Sequence, residues 1–220
     1  MRRLAFAGPI LGAALALLLG CSSGQPAAGF IDSRLMAAYV PLVEQRTFSS
    51  HWGAGFTIAP HVAVTNDHNL NLIPADRLLA RSRDYDLLFF RTDAEAAAPM
   101  ARARVGEDVI AYGQGRGGSL REARGKVRVL EEALPPGCAG CRAQQALVFD
   151  ADAGPGFSGG PVADAQSGAW LGIVFGYIDA LGGRRMYAYD SETVMVKCTV
   201  CWTRRHGPDG LMRARASRFP

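Results

Sequence analysis

Asp150-Ala-Asp-Ala-Gly-Pro-Gly-Phe-Ser-Gly-Gly-Pro-Val162 is the stretch around which the rest of the chain arranges itself. Four glycines and two prolines crowd Ser158. Side chains there are small, and the backbone is free to turn sharply. Such a loop lets Gly156 and Ser158 aim their N–H groups at one point beside the Ser158 hydroxyl, which is how donors are preorganised for a developing oxyanion. A serine hydroxyl alone is a weak nucleophile, so a base and an orienting acid are required from elsewhere in the chain.

Outward from this loop the sequence is punctuated by short apolar runs. Gly53-Ala-Gly-Phe-Thr-Ile58 reads as a glycine-led strand, Ala59-Pro60-His61 as a turn and Val62-Ala-Val-Thr65 as a second strand, closed by the polar break Asn66-Asp-His-Asn69. Asp86-Leu-Leu-Phe-Phe90 is an apolar strand opened by an acid. Further strands are expected over residues 105–112, 126–130, 146–149, 169–177 and 186–189, and residues 35–43 suit a short helix or a leading strand. A helix begins near 191, with Asp190 or Ser191 as its cap. Many short strands with frequent turn signals, and almost no long amphipathic helix, make this an all-β chain, either sandwich or barrel.

The ends read differently. Arg2 and Arg3 precede an apolar run over residues 4–19, the pattern of an export signal. It ends Leu18-Leu-Gly-Cys21-Ser-Ser23, which resembles a bacterial lipobox with Cys21 as the lipidated first residue of the mature chain. Residues 22–36 are expected to be a tether, residues 37–203 the folded body, and residues 204–220 a basic tail. The whole chain carries +4, and Arg204, Arg205, Arg213, Arg215 and Arg218 crowd that tail against Asp209 alone. A near-neutral body with a basic tail does not suggest a nucleic-acid protein and suits a solvated or membrane-facing end.

Of the four histidines, His206 lies in the tail, His51 precedes the first strand and His61 sits in a turn. His68 directly follows an apolar strand, a rigid mount of the kind a general base needs. The orienting carboxylate should sit at the edge of an apolar core, as Asp86 does, with Asp84 as the fallback on the same side of the strand.

Thr65-Asn-Asp-His68, Asp86-Leu-Leu-Phe-Phe90 and Gly156-Phe-Ser-Gly-Gly-Pro161 occur in the order His, Asp, Ser. That order and those local patterns resemble the chymotrypsin-like (trypsin-like) serine endopeptidases, above all their bacterial high-temperature-requirement branch. The resemblance covers roughly residues 50–195 and is supported by Arg104-Val-Gly-Glu-Asp-Val-Ile-Ala-Tyr-Gly113 and Leu171-Gly-Ile-Val-Phe-Gly-Tyr177. It implies two six-stranded antiparallel β-barrels, about 37–100 and 101–190, a terminal helix over about 191–203, and an active site between the barrels. By motif match His68 is the base, Asp86 its orienter, Ser158 the nucleophile, and the Gly156 and Ser158 amides the oxyanion hole. Phe175, Gly176 and Tyr177 match the strand that pairs with substrate backbone. Asp152 falls where the family places the floor of the primary pocket, so an acid there would favour basic substrates.

The chain departs from the pattern in three places. Eighteen residues separate His68 from Asp86, which makes the first barrel lean. Phe157 stands where the family has Asp or Asn, so activation by pairing that acid with a freed N-terminus is not expected. No PDZ module is expected after the second barrel. The resulting expectation is an exported, lipid-anchored serine endopeptidase of the bacterial envelope, acting on polypeptides without a catalytic cofactor. Its rival is a protease-shaped lipoprotein that binds peptides or an envelope partner without cleaving them.

The remaining cysteines form two pairs, Cys138-Ala-Gly-Cys141 and Cys198-Thr-Val-Cys201. Such spacing suits a four-thiolate zinc site, whereas an exported, oxidising setting favours disulfides. Disulfides are ranked first and structural zinc second, and either would staple the terminal helix to the loop near residue 138.

Overall fold

The computed structural model describes residues 24–45, 50–95, 97–132, 146–181, 183–198 and 201. Cys21, Cys138, Cys141 and the basic tail lie outside the described residues.

Two antiparallel sheets carry the chain. In the first, β2 (Tyr39–Gln45), β3 (Ser50–Ala59), β4 (Val62–Thr65), β5 (Leu78–Arg81) and β6 (Leu88–Arg91) lie in the order β2-β3-β4-β6-β5. All four residues of β4 are buried, as its apolar composition demands of a central strand. The second sheet comprises β1 (Gln25–Pro26), β7 (Asp108–Gln114), β8 (Leu120–Glu132), β9 (Ala146–Asp150), β10 (Pro161–Asp164), β11 (Trp170–Ala180) and β12 (Gly183–Asp190). Its order is β1-β8-β7-β10-β11-β12-β9, and β8 also pairs with β9, which closes six of these strands into a barrel with β1 on its outside. The thirteen-residue β8 spans this seam, and two register shifts along it let one strand serve both neighbours.

The first sheet is leaner than the six-stranded barrel the resemblance implies. It has five strands among the described residues. Between His68 and Asp86 there is room for two 3-10 turns and the four-residue β5, and no more.

The stretch 22–36, read as a tether, is structured over its described residues, 24–36. Gln25 and Pro26 pair with Glu122 and Arg121 of β8, and α1 (Ser33–Ala38) follows. Asp32 caps α1 by accepting from the Arg34 amide at 2.7 Å. Bonds from the Arg34 side chain and amide hold the Asp32 carboxyl down at about 2. At the other end α2 (Ser191–Lys197) is capped by Asp190, which accepts from Thr193 N at 2.9 Å. Ser191, the other candidate cap, instead donates its hydroxyl to Ala101 O at 2.9 Å.

One apolar cluster joins the two sheets, with Phe56, Val64 and Phe89 from the first meeting Ile110, Trp170 and Tyr189 from the second. A second cluster, including Val109, Phe149, Phe157, Val162 and Met186, fills the closed barrel. No helix among the described residues is long and apolar enough to cross a membrane.

Candidate active site

Ser158 is the first central residue of the second of two consecutive tight turns that its sequence dictates. Phe157 N–H donates to Gly154 O at 3.1 Å across Pro155-Gly156, and Gly160 N–H donates to Phe157 O at 2.9 Å across Ser158-Gly159. Gly156 and Gly159 have φ of +92° and +81°. Negative φ at the first central residue and positive φ at the second make both type II turns, with proline and then glycine in the first. A side chain at either glycine is barred by space as well. A Cβ on Gly156 would strike Gln114 O and Trp52, and one on Gly159 would strike Ala54 O and Thr65 Oγ1.

The turns leave a specific set of donors uncommitted. Phe157 N–H is used inside its turn, whereas among the described residues the Gly156 and Ser158 amides have no protein acceptor. Gln114 N–H holds Gly156 O at 2.9 Å, and Gly159 N–H reaches Val174 O at 2.8 Å, so the loop is pinned on both flanks. Ser158 O is held from the first sheet by Ala54 N–H at 3.0 Å and by Asn69 Nδ2 at 3.2 Å.

That last bond sets Ser158 beside the residue after His68. His68 lies in the 3-10 turn Asp67–Leu72 that β4 leads into. Its Nδ1 lies 2.6 Å from Asp86 Oδ2, and its backbone N–H donates to Asp86 Oδ1 at 3.0 Å. An ionised carboxylate only accepts, so Nδ1 is the donor against it, and in the neutral ring this leaves the lone pair on Nε2. Asp86 is buried and fixed from behind: its N–H donates to Tyr189 Oη at 3.1 Å, and Asn66 Nδ2 donates to its carbonyl at 3.0 Å. Asp84 is exposed. Asp67, next to His68, is clamped by Arg81 through bonds of 2.5 and 2.7 Å, which ties this turn to β5. Ser158 Oγ and His68 share no hydrogen bond among the described residues.

Phe175, Gly176 and Tyr177 lie in β11 next to the loop. β10 covers β11 as far as Ile173, and backbone bonds from Gly159 and to Gly160 carry that pairing to Val174. Beyond it, β12 is the strand partner of β11 among the described residues, with a bulge at Phe175. One edge of residues 175–177 is therefore open. Asp152 does not form a dry pocket floor: its side chain is 90% exposed and lies 3.9 Å from Arg184. Arg184 is itself bonded to Asp179 at 2.8 Å and to Ala153 O at 3.2 Å, so the solvent-facing acid belongs to a charged rim.

Cys198 and Cys201 form a disulfide with each other. This consumes both thiolates that a four-cysteine zinc site would take from the pair, and the bridge closes the end of α2 on itself instead of stapling it to the loop near residue 138. Among the described residues no group of three His, Cys, Asp or Glu side chains is gathered to hold a metal.

Sequence reasoning missed Tyr189, the supports of the Ser158 carbonyl, and the burial partner of Phe157. Tyr189 stands 103 residues from Asp86, and no local pattern links them.

Among solved structures the chain is similar to the HtrA-type protease AlgW with tripeptide, with 20% identity and a TM-score of 0.61. That match covers 81% of this chain and 62% of AlgW, so the chain spans less than two thirds of that protein's length. The active form of the Rv3671c protease from M. tuberculosis matches with 20% identity and a TM-score of 0.59, over 79% of this chain and 86% of that one. The MamO protease domain from Magnetospirillum magneticum matches with 16% identity and a TM-score of 0.56, over 74% and 96%. No curated protein sequence matches. These likenesses show the trypsin-like protease fold, two β-sheet bodies with a short C-terminal helix. The family model for the trypsin-like peptidase domain matches residues 59–173, more than half of the chain and spanning His68, Asp86 and Ser158, and the chain belongs to that family.

Proposed function

We propose that the chain is a serine endopeptidase of the bacterial cell envelope, with Ser158 as nucleophile, His68 as general base and Asp86 as its orienter. The observation that carries this reading is the 2.6 Å contact between His68 Nδ1 and the buried Asp86 carboxylate, in the turn whose next residue holds Ser158 O. A polypeptide substrate lies along residues 175–177, adding a strand to the open edge of β11. Ser158 Oγ bonds to the scissile carbonyl carbon as its proton passes to His68 Nε2. The carbonyl oxygen takes up the negative charge and receives the Gly156 and Ser158 amides. The C–N bond then breaks, the leaving amine takes the proton from His68, and an ester to Ser158 remains. Water attacks that ester with His68 again as base, releasing the acid and restoring the hydroxyl. The chemistry asks for no cofactor.

Cys21 would be the acylated anchor, facing the domain toward the periplasm or the cell surface. The second reading, a protease-shaped protein that binds peptides without cleaving them, draws on the missing hydrogen bond between Ser158 Oγ and His68. Apo serine hydrolases tolerate a long contact here, because such bonds tighten with substrate. A fluorophosphonate probe separates the two. The expected result is labelling of the wild type in the membrane fraction, none of Ser158→Ala, and labelled protein in the soluble fraction for Cys21→Ser. An unlabelled wild type, folded and peptide-binding, establishes the second reading.

A further inference from the structure

Phe157 is fully buried, although it interrupts the loop that holds the candidate oxyanion donors. Its two neighbours in sequence are the residues whose amides are uncommitted. The ring lies between two glycines. A Cβ on Gly113 would stand 2.7 Å from Phe157 Cγ, and a Cβ on Gly24 would stand 2.6 Å from Cζ, 3.1 Å from Cε2 and 2.7 Å from Glu122 O of β8. Gly24 has a φ of +68°, so it is bare both by conformation and by space. The far edge of the ring is thus seated on Gly24, the residue before β1.

The segment from Gly24 runs on behind the same loop. Arg121 Nη2 donates to Gly24 O, Gln25 Nε2 donates to Glu122 Oε1 at 3.1 Å, and Ala27 N–H donates to Leu120 O at 3.1 Å. Ile31 N–H donates to Tyr112 Oη at 2.9 Å, and the Phe30 ring lies 4.5 Å from Tyr112 and 5.0 Å from Tyr39. Tyr39 Oη accepts from Gln114 Nε2 at 2.9 Å, and the Gln114 amide holds Gly156 O. The segment therefore meets the loop directly at the Phe157 ring and is linked to it a second time through Phe30, Tyr39 and Gln114.

We infer that residues 24–31 are a positioning strap for the nucleophile loop, with Gly24 and Phe157 as the positioning residues. The inference rests on the serine-hydrolase reading of Ser158. A ring held between two bare backbones has no lateral freedom, and a shift of the ring turns the amides on either side of it. Donor placement governs oxyanion stabilisation, and misplacement by about 1 Å costs on the order of a hundredfold in rate. The strap is joined to its sheet by the two residues of β1 and a few flanking bonds, so it belongs to the parts of the fold that open most readily. Loop order is thereby conditional on the docking of residues 24–31.

The test uses the full chain and three variants. Gly24→Asn tolerates the positive φ yet adds a Cβ against the ring and against Glu122 O. Its fluorophosphonate labelling rate should fall at least tenfold, with KM for a peptide substrate within twofold of wild type. Adding Phe157→Leu to Gly24→Asn removes the ring edge and should restore at least threefold. Ala27→Pro deletes the N–H to Leu120 O without touching Phe157, and should slow labelling at least threefold. It should also move the emission of Trp52, whose indole borders Gly156. Should Gly24→Asn fail to fold by circular dichroism, the Ala27→Pro arm decides alone. A folded Gly24→Asn or Ala27→Pro that labels at the wild-type rate overturns the strap. An unlabelled wild type overturns the hydrolase reading instead, and the Trp52 signal still reports whether strap and loop are coupled.

Discussion

Asp86 supports the imidazole at two points, and this decides what its replacement should do. Its Oδ2 meets His68 Nδ1 at 2.6 Å, while Oδ1 accepts from the His68 amide at 3.0 Å. Asparagine keeps the volume and one acceptor, but its amide favours the wrong imidazole tautomer. Asp86→Asn should lower kcat by about 10⁴ with little change in KM. Asp84→Asn, on an exposed side chain, should leave kcat within about twofold, since surface changes of this kind are worth little. Steady-state kinetics on one peptide substrate compares the two, and equal losses would remove Asp86 from its assigned role. At this scale the sequence was informative wherever chemistry and local pattern coincide. His68 lies in the turn that an apolar strand leads into, Asp86 stands two residues before another, and Ser158 lies among glycines whose φ values the two turns require. Asp152 misled because spacing from Ser158 says nothing about side-chain direction, and a charged rim with Arg184 and Asp179 keeps that carboxylate in water.

Strands and helices were legible in proportion to their periodicity. β4, β7 and β11 are apolar runs bounded by turns, and each lies close to where its pattern puts it. Residues 24–32 carry no such pattern. Their partners stand about a hundred positions away in β8 and at Tyr112, and a polar segment that pairs by backbone looks like a linker until the partner is known. The Cys198–Cys201 bridge is the converse case, because the spacing was evident and the chemistry was open. It spans a sequence separation of three, at the end of α2. A loop this short removes little unfolded-state entropy, so the bridge is worth about 2 kcal/mol. Replacing both cysteines by serine should lower the melting temperature by roughly 4–8 °C and leave fluorophosphonate labelling intact. A fall of twenty degrees or lost labelling would mean that the bridge organises far more than the helix end.

The two sheets share their core, and this sets the behaviour of the molecule as a whole. Phe56 of β3 lies 5.4 Å from Trp170 of β11, ring to ring. Phe175 stacks on Tyr189 at 4.1 Å, and Tyr189 reaches across to the Asp86 amide. Ser158 O, from the second body, is held by Ala54 and Asn69 of the first. Burying each of these large rings stabilises the fold by about 2–3 kcal/mol, and none can be exposed by one sheet without uncovering the other. A two-body reading of the sequence therefore describes topology and not stability, since the contacts that bind the halves come from residues far apart in the chain. Denaturant unfolding should proceed in a single transition, with far-ultraviolet circular dichroism and tryptophan emission coincident. The comparison is sensitive because Trp52 and Trp170 stand in different sheets, so independent melting would separate the two curves. Tyr189→Phe should move both curves together to lower denaturant, by the roughly 1 kcal/mol of one lost buried hydrogen bond. A variant that split them would show that the Tyr189–Asp86 contact couples the sheets, and that the aromatic cluster alone does not.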